Sequence, residues 1–158
     1  GLDFSGRPIK DQTKFVLCCG VNPAAAELDW EIERLRKKIA AGAEYIFSQP
    51  LYDPQLLENF LTKIKDFPNI PFYVGILPLY SLRNAEFLHN EVPGMQVPDN
   101  IMKKMVAASS KEKQREVGLA VAREALGAAA KMERINGAYV FPPFRNYQAV
   151  EKLLEVVR

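Results

Sequence analysis

Gln49 is the residue whose type and position best suit ligand binding in this sequence. It follows the apolar segment 43–48 and precedes Pro50, so it lies where a predicted strand gives way to a loop. In parallel α/β folds the carboxyl ends of the strands form the edge on which binding sites are built. A glutamine amide offers a donor and an acceptor together, so Gln49 either binds a polar ligand or caps a turn.

Three other polar residues occupy comparable positions. Asn22 lies in an Asn-Pro turn after the first predicted strand, where its carboxamide either holds a cofactor or stabilises the turn. Lys38 lies near the end of a predicted helix, where the helix dipole alone favours a cation. Arg145 follows the last predicted strand, and its guanidinium either pairs with a carboxylate ligand or is a solvated residue at a helix start.

The sequence offers little for metal or thiol chemistry. Cys18 and Cys19 are the two cysteines, and on an extended segment adjacent side chains point to opposite faces, so we expect no disulfide between them. The single histidine, His89, is distant in sequence and cannot complete a common zinc set with them. We therefore predict that the chain has no metal site.

Length and composition indicate one folded domain. The net charge of +2 arises from 21 basic and 19 acidic residues mixed along the 158 residues, which argues against nucleic-acid binding. The sequence has no apolar run of the ~18–20 residues that a membrane span needs, and residues 1–5 lack a signal layout. We expect a cytoplasmic protein without a membrane partner.

Strands and helices are predicted to alternate along the chain. Gly42 suits the end of the first helix, and Asp53 and Ser81 suit the start of two others. The predicted strands cover residues 14–20, 43–48, 72–77 and 137–141, and the predicted helices cover 27–41, 54–65, 82–89, 99–107, 111–131 and 147–157. The first strand, nearly all apolar, is expected to be buried on both faces. Four β-α units predict an α/β fold with a parallel sheet, either half of an eightfold barrel or a small open sheet.

Four blocks of sequence carry a resemblance to a known family. Residues 38–53, with Ala-Gly-Ala before a strand and Ser-Gln after it, resemble a segment of the methylenetetrahydrofolate reductases. Residues 75–79, 84–94 and 141–144 resemble later blocks of that family in order and spacing. Together they look most like the reductase module of bacterial bifunctional homocysteine S-methyltransferase/5,10-methylenetetrahydrofolate reductase proteins.

The resemblance implies a fold and a place within it. In that family these blocks belong to the last four strands of a TIM (β/α)8 barrel, so residues 1–158 would form the C-terminal half of the reductase barrel. The first four strands, and any methyltransferase domain, would precede Gly1. The family's general acid lies on those strands, so the resemblance implies no catalytic residue in this chain and no activity of this fragment alone.

The resemblance also implies a reaction. The complete barrel would be an oxidoreductase of one-carbon metabolism and methionine biosynthesis, a flavoprotein that uses FAD. It would pass a hydride from NAD(P)H to 5,10-methylenetetrahydrofolate and yield 5-methyltetrahydrofolate. The sequence has no G-x-G-x-x-G fingerprint, which agrees with a barrel that holds nucleotides without a Rossmann unit.

Roles for eight residues follow from the resemblance. Gln49 would contact the pterin of the substrate, and Arg145 its glutamate carboxylate. Leu82 stands where single-function relatives carry an aromatic residue that stacks on folate or nicotinamide, so Tyr80 would compensate unless it is an exposed loop aromatic. The predicted substrate-binding residues are thus Gln49, Tyr80, Leu82 and Arg145, and the predicted cofactor-binding residues are Asn22, Glu31, Arg34 and Lys38.

Two other functions remain open from sequence. The chain could be a non-catalytic half-barrel that serves as an assembly module, or it could belong to another pterin-binding barrel, such as a corrinoid-linked methyltransferase. An open edge of parallel strands invites association, so a homo-oligomer formed through that edge is a further hypothesis.

Overall fold

Four parallel strands form one sheet in the order β1-β2-β3-β4. The computed structural model describes residues 1–11 and 14–157. The strands are β1 (Cys18–Val21), β2 (Tyr45–Pro50), β3 (Phe72–Ile76) and β4 (Gly137–Val140). Since neighbouring strands in space are also neighbours in sequence, each connection is a simple crossover through helices, as the alternation of strands and helices predicts.

Within the described ranges, six α-helices connect or follow the strands: α1 (Leu28–Ala40), α2 (Pro54–Lys63), α3 (Leu82–Glu91), α4 (Asp99–Ala107), α5 (Lys111–Ala129) and α6 (Tyr147–Leu154). The predicted signals at their ends are confirmed. The Asp53 side chain accepts a hydrogen bond from Gln55 N, Ser81 accepts one from Asn84 N, and Gly42 ends α1 with a φ of 103°. In the described residues, no helix has the length and apolar character to cross a membrane.

The helices cover one face of the sheet. The strand residues Ile46, Phe72 and Val74 are each 1% exposed or less, and they belong to one hydrophobic cluster with residues of four helices. The helix residues in that cluster include Leu35, Leu57, Phe60, Leu126 and Leu153. Burial of this apolar surface is the main favourable contribution to folding.

A second hydrophobic cluster supports the loop that follows β3. Leu79 in that loop is 1% exposed and packs with residues of α3, α4 and α5, among them Ala85, Met105 and Val121. Tyr52, from the loop after β2, belongs to the same cluster. The carboxyl-end loops of two neighbouring strands are therefore fixed by packing.

The opposite face of the sheet carries a row of aromatic rings. Ring contacts run from Tyr45 to Tyr73 (5.9 Å between centroids), from Tyr73 to Phe47 (5.2 Å), from Phe47 to Tyr139 (5.4 Å) and from Tyr139 to Phe141 (5.2 Å). These five residues, the aromatic face, alternate along the strands with residues that pack on the helices. Among the described residues, no helical side chain takes part in these ring contacts.

The predicted α/β fold with a four-stranded parallel sheet is confirmed, and its one-sided helical layer is that of a partial TIM barrel. The first predicted strand, residues 14–20, was wrong in extent and in burial. The strand is Cys18–Val21, and Phe15, Val16 and Leu17 are 78%, 60% and 52% exposed. β1 is an edge strand, and among residues 1–11 and 14–157 helices cover only one of its faces, so the apolar segment beside it stays exposed.

The end of the second strand also differs from the prediction. β2 continues to Pro50, so Gln49 lies within the strand and not in the loop after it. Pro50 is tolerated because the pairing of β2 with β3 is irregular between Phe47 and Pro50. The carboxyl ends of the strands nevertheless meet at one edge, where the predicted substrate-binding residues were expected.

Candidate functional site

An irregularity in the sheet fixes the backbone at Gln49. The register between β2 and β3 shifts between Phe47 and Pro50, and the Ser48 side chain lies in that gap. Its hydroxyl accepts a hydrogen bond from Gly75 N (2.9 Å) and donates one to Gln49 O (2.8 Å). Because Ser48 is 1% exposed, both bonds are shielded from water and hold Gln49 in place.

A second contact fixes the same point from β4. The Tyr139 hydroxyl donates a hydrogen bond to Ser48 O. The contact requires a glycine at position 75, because a Cβ there would lie 2.8 Å from the Tyr139 hydroxyl oxygen and 2.9 Å from Ser48 O. Burial raises the pKa of Tyr139, so its hydroxyl remains protonated as a donor at neutral pH. Three neighbouring strands thus determine where Gln49 lies.

The Gln49 side chain is free to meet a ligand. It is exposed, whereas Ser48 before it is buried. Among residues 1–11 and 14–157, its carboxamide has no hydrogen-bond partner, so it does not cap a turn there. A donor and an acceptor fixed on a strand end can bind the edge of a heterocycle that presents the complementary pair.

A groove of about 780 Å³ lies beyond the ends of β3 and β4. Tyr80 is half-buried in it, so it is not an exposed loop aromatic. The Phe144 ring lies 4.8 Å from the Tyr80 ring, and the Arg115 guanidinium lies 4.3 Å from the Tyr80 centroid. An aromatic pair with a cation stacked on it suits a planar ligand that carries negative charge.

Leu82 and Phe144, the residue before Arg145, both line the groove. Leu82 lines the groove, and its backbone N donates to Gln114 Oε1 (3.0 Å), which ties the start of α3 to α5. Phe144 and Arg145 have positive φ values of 48° and 63°. Such conformations cost about 1–2 kcal/mol each in residues other than glycine, and strain of this kind is concentrated at functional sites.

The four predicted cofactor-binding residues form a second group, next to β1. Glu31 is 7% exposed and accepts a hydrogen bond from Asn22 N (3.1 Å). Its carboxylate lies 3.5 Å from Arg34 Nη1 and 3.9 Å from Lys38 Nζ. Lys38 also donates to Gly20 O (2.6 Å), so the lysine crosses from α1 to β1. The Glu31 carboxylate therefore lies close to the other three residues, and their role in cofactor binding stays a prediction.

Further contacts indicate what Asn22 and Arg34 each do within this second group. The Asn22 carboxamide accepts from Ala24 N (3.0 Å) and donates to Gly94 O (2.8 Å), which are the contacts of a turn-stabilising asparagine. The Arg34 guanidinium lies 4.6 Å from the centre of the Trp30 ring, which is 62% exposed. An exposed indole beside cations is a suitable surface for a nucleotide.

Several residues around Gln49 and in the groove were not predicted from the sequence. Ser48, Gly75 and Tyr139 act through contacts between strands that are 27 to 91 positions apart in sequence. Arg115 and Gln114 lie on a long helix whose pattern indicates only packing. The one local signal was the Ser-Gln pair before Pro50, in which a buried hydroxyl and an exposed amide are adjacent.

Comparisons with known proteins concern the family and the fold of the chain. A family model described as "Methylenetetrahydrofolate reductase" matches residues 17–139. No curated protein matches the sequence. Among solved structures, the chain is similar to one described as an uncharacterized protein from Clostridium thermocellum that binds two copies of 5-methyl-5,6,7,8-tetrahydrofolic acid. The identity is 16% and the TM-score 0.67, over 89% of this chain and 52% of that chain. The chain therefore shares that fold and spans about half the length of that protein.

Proposed function

We propose that this chain, which belongs to the methylenetetrahydrofolate reductase family, forms the folate-binding part of a flavin-dependent barrel. The complete barrel would reduce 5,10-methylenetetrahydrofolate to 5-methyltetrahydrofolate with NAD(P)H. The single observation that carries this proposal is the exposed Gln49 amide, which has no hydrogen-bond partner among the described residues. It stands on backbone that the Ser48–Gly75 and Tyr139–Ser48 hydrogen bonds fix at the sheet edge.

The Gln49 amide would bind the pterin ring of the folate. The pyrimidinone edge of a pterin presents a donor and an acceptor side by side, and a carboxamide complements both. The backbone that carries the amide is already fixed, so at this position only the side chain loses conformational freedom on binding. The solved structure of similar fold is described as binding 5-methyltetrahydrofolate, which supports a folate as the ligand of this site.

The groove beyond β3 and β4 would hold the remainder of the folate. Tyr80 and Leu82 line it, so the benzoyl ring of the folate would lie against them. Arg145 is exposed and follows the groove residue Phe144 but does not itself line the groove; its guanidinium would pair with the glutamate carboxylate. Strain at positions 144 and 145 is consistent with a segment whose conformation serves binding.

The second group would contact FAD. Arg34 and Lys38 supply cations beside the exposed Trp30 ring, and this set of groups fits the diphosphate and the adenine of a dinucleotide. Glu31 holds both cations in position through its buried carboxylate. The hydride transfers between NAD(P)H and the folate would be chemistry of the bound flavin. The residues of this chain would bind and orient it.

The aromatic face would form part of the interior of the complete barrel. The interior of an eight-stranded barrel is filled by side chains from every strand, and here β2, β3 and β4 with the residue after it present Tyr45, Phe47, Tyr73, Tyr139 and Phe141 to one side. Four further parallel strands would cover these rings, and we propose that they supply the general acid.

Folate binding by Gln49 variants tests the proposal. The assay is a calorimetric titration of the full expressed protein with 5-methyltetrahydrofolate, accompanied by reduction of methylenetetrahydrofolate with NADH and with NADPH. Gln49→Ala removes two hydrogen bonds of about 0.5–1.5 kcal/mol each, so the Kd should rise roughly 10- to 100-fold. Gln49→Glu keeps the size and the acceptor but loses the donor, and it should also weaken binding.

Gln55→Ala is the matched control. Gln55 is an exposed glutamine of α2 whose side chain bonds to Glu58 and Asn59, so its replacement should leave the Kd unchanged. Equal affinities of the wild type and Gln49→Ala for the folate would refute the proposed role of Gln49. Methyl transfer to cobalamin without reduction of methylenetetrahydrofolate would instead indicate a corrinoid-linked methyltransferase.

A further inference from the structure

The connection between α3 and α4 packs against the loops after two strands. It comprises residues 92–98, here called the strap. Met95 and Val97 in the strap are 4% and 1% exposed. They belong to one hydrophobic cluster with Leu79 and Tyr52, which lie in the loops after β3 and β2. The strap is therefore fixed by packing to the part of the sheet edge where the proposed folate site lies.

The strap also reaches the loop after β1. The Asn22 side chain donates a hydrogen bond to Gly94 O (2.8 Å), a contact between residues 72 positions apart in sequence. Gly94 has a φ of 79°, and a Cβ at this position would lie 3.1 Å from Asn22 Nδ2. Both the backbone conformation and the close approach favour glycine. The strap therefore meets Asn22 at a position that suits a residue without a side chain.

Asn22 connects the strap to the second group. Both polar atoms of its carboxamide have protein partners, so the side chain is occupied within the chain itself. Its backbone N donates a hydrogen bond to the Glu31 carboxylate (3.1 Å), and Glu31 is 7% exposed. The same carboxylate lies 3.5 Å from Arg34 Nη1 and 3.9 Å from Lys38 Nζ. A series of contacts therefore runs from the strap through Asn22 to the two cations.

We propose that Gly94 is a positioning residue for the second group, and that Asn22 acts on a bound dinucleotide only through Glu31. This inference rests on the proposed function, in which the second group contacts FAD. A hydrogen bond that already holds a loop reduces the conformational freedom that is lost when a ligand binds. The strap supplies this hydrogen bond from the folate side of the sheet edge, so one segment supports both sites.

The strap does not depend on Gly94 for its own place in the fold. Val97 N donates a hydrogen bond to His89 Nδ1 (3.2 Å), and the buried side chains of the strap hold it against the loops after β2 and β3. The hydrogen bond between Asn22 and Gly94 is exposed, and an exposed hydrogen bond is weaker than a buried one. Loss of this bond should therefore affect the second group more than the stability of the domain.

The experiment titrates the full expressed protein with FAD, with ADP and with 5-methyltetrahydrofolate. Trp30 is the single tryptophan of the 158 residues, and the Arg34 guanidinium lies 4.6 Å from the centre of its ring. Quenching of tryptophan fluorescence therefore reports ligands that bind at the second group. Calorimetry measures the affinity for the folate, and thermal unfolding measures the Tm of each variant.

Two variants remove the contact from opposite sides. Gly94→Ala adds a Cβ close to Asn22 Nδ2, and Asn22→Ser keeps an acceptor for Ala24 N but is too short to reach Gly94 O. One hydrogen bond corresponds to roughly 2- to 10-fold in affinity, so each variant should raise the Kd for FAD and for ADP by that factor. Because both variants remove the same contact, the double variant should bind no more weakly than the weaker single variant.

Gly6→Ala is the matched control. Gly6 has a φ of 81°, close to that of Gly94, and a Cβ there would meet nothing within 4 Å. Its replacement introduces similar backbone strain without the contact to Asn22, so the affinities for FAD and ADP should not change. Binding of 5-methyltetrahydrofolate should be the same in every variant, because the proposed folate site contains none of these residues.

The outcomes separate this inference from the proposed function. Unchanged affinities for FAD and ADP in Asn22→Ser, or additive losses in the double variant, would overturn the inference alone. Equal losses of affinity for FAD and for the folate, together with a lower Tm, would indicate a purely structural strap and would also overturn it. If Gly94→Ala does not fold, Asn22→Ser still decides between these results. A wild type that binds neither FAD nor ADP would overturn the proposed role of the second group and the inference with it.

Discussion

Replacement of Gly118 by alanine should break the contact that places the groove. Gly118 is buried in the middle of α5, where the helix touches the loop after β3. An added Cβ would lie 1.9 Å from Leu79 O, 2.7 Å from Leu79 C and 3.0 Å from Leu79 Cα. Ordinary contacts begin at 3.4 Å, so α5 and the loop would have to separate by about 3.4 − 1.9 = 1.5 Å.

The predicted loss of stability is a balance of two effects. Alanine is favoured over glycine in a helix interior by about 1 kcal/mol, which stabilises the variant. Overpacking a core costs about 1–3 kcal/mol, and the upper end applies because the clash is with backbone atoms that cannot rotate away. The net result is a loss of about 2 kcal/mol, which corresponds to a fall in Tm of about 4–8 °C for a domain of this size.

The same displacement should weaken folate binding. Arg115 lies one turn before Gly118, and Tyr80 directly follows Leu79, so a shift of the helix separates the stacked pair. Displacements of about 1 Å can reduce activity by up to 100-fold in enzymes. Urea denaturation measures the stability, and titration with 5-methyltetrahydrofolate measures the binding.

Gly127→Ala is the matched control on the same helix. Its Cβ would meet only the Val156 Cγ1 atom, at 2.9 Å, and a side chain on the surface can move aside. Its stability should be equal to or above that of the wild type, because the gain in helix propensity is retained. If Gly118→Ala is as stable as Gly127→Ala, the close approach of α5 to Leu79 does not exist as described.

For two other substitutions, Tyr52→Phe and Arg145→Gly, the structure predicts the direction of the change in stability. Tyr52→Phe removes a buried hydroxyl that has no hydrogen-bond partner among the described residues, so in urea denaturation the unfolding free energy should stay equal or rise by up to about 2 kcal/mol. Burial raises the pKa of Tyr52 above its ordinary value of 10.0, so the unfolded chain releases this proton first. The wild-type unfolding free energy should therefore fall as the pH rises above 10, and an equally steep fall in Tyr52→Phe would contradict the assignment. Arg145→Gly relieves a φ of 63°, so the Tm should rise with a gain of about 1 kcal/mol. Its folate Kd should rise roughly 10- to 100-fold, and unchanged affinity would exclude Arg145 from binding.

Most elements of the fold could be predicted because their signals are local. Asp53 before Pro54 fixes the start of α2, and Gly42 fixes the end of α1, within a few residues of sequence. The strand at residues 14–20 was misplaced because burial depends on what covers a segment, and Phe15 is 78% exposed in the part of the chain that the structure describes. Apolar composition alone cannot distinguish a central strand from the approach to an edge strand.

The candidate site was only partly predictable because its geometry comes from glycines and polar contacts between distant elements. Gln49 could be selected from its place near a strand end, its side chain is exposed, and its role in binding stays a prediction. Its fixation depends on Gly75 leaving space for the Tyr139 hydroxyl, and neither residue is near it in sequence. In the same way the groove depends on Gly118 allowing α5 to approach Leu79, which brings Arg115 to Tyr80. A glycine contributes no side chain to the hydrophobic pattern of a sequence. Close approaches at glycines are therefore seen only once the helices and strands are packed together.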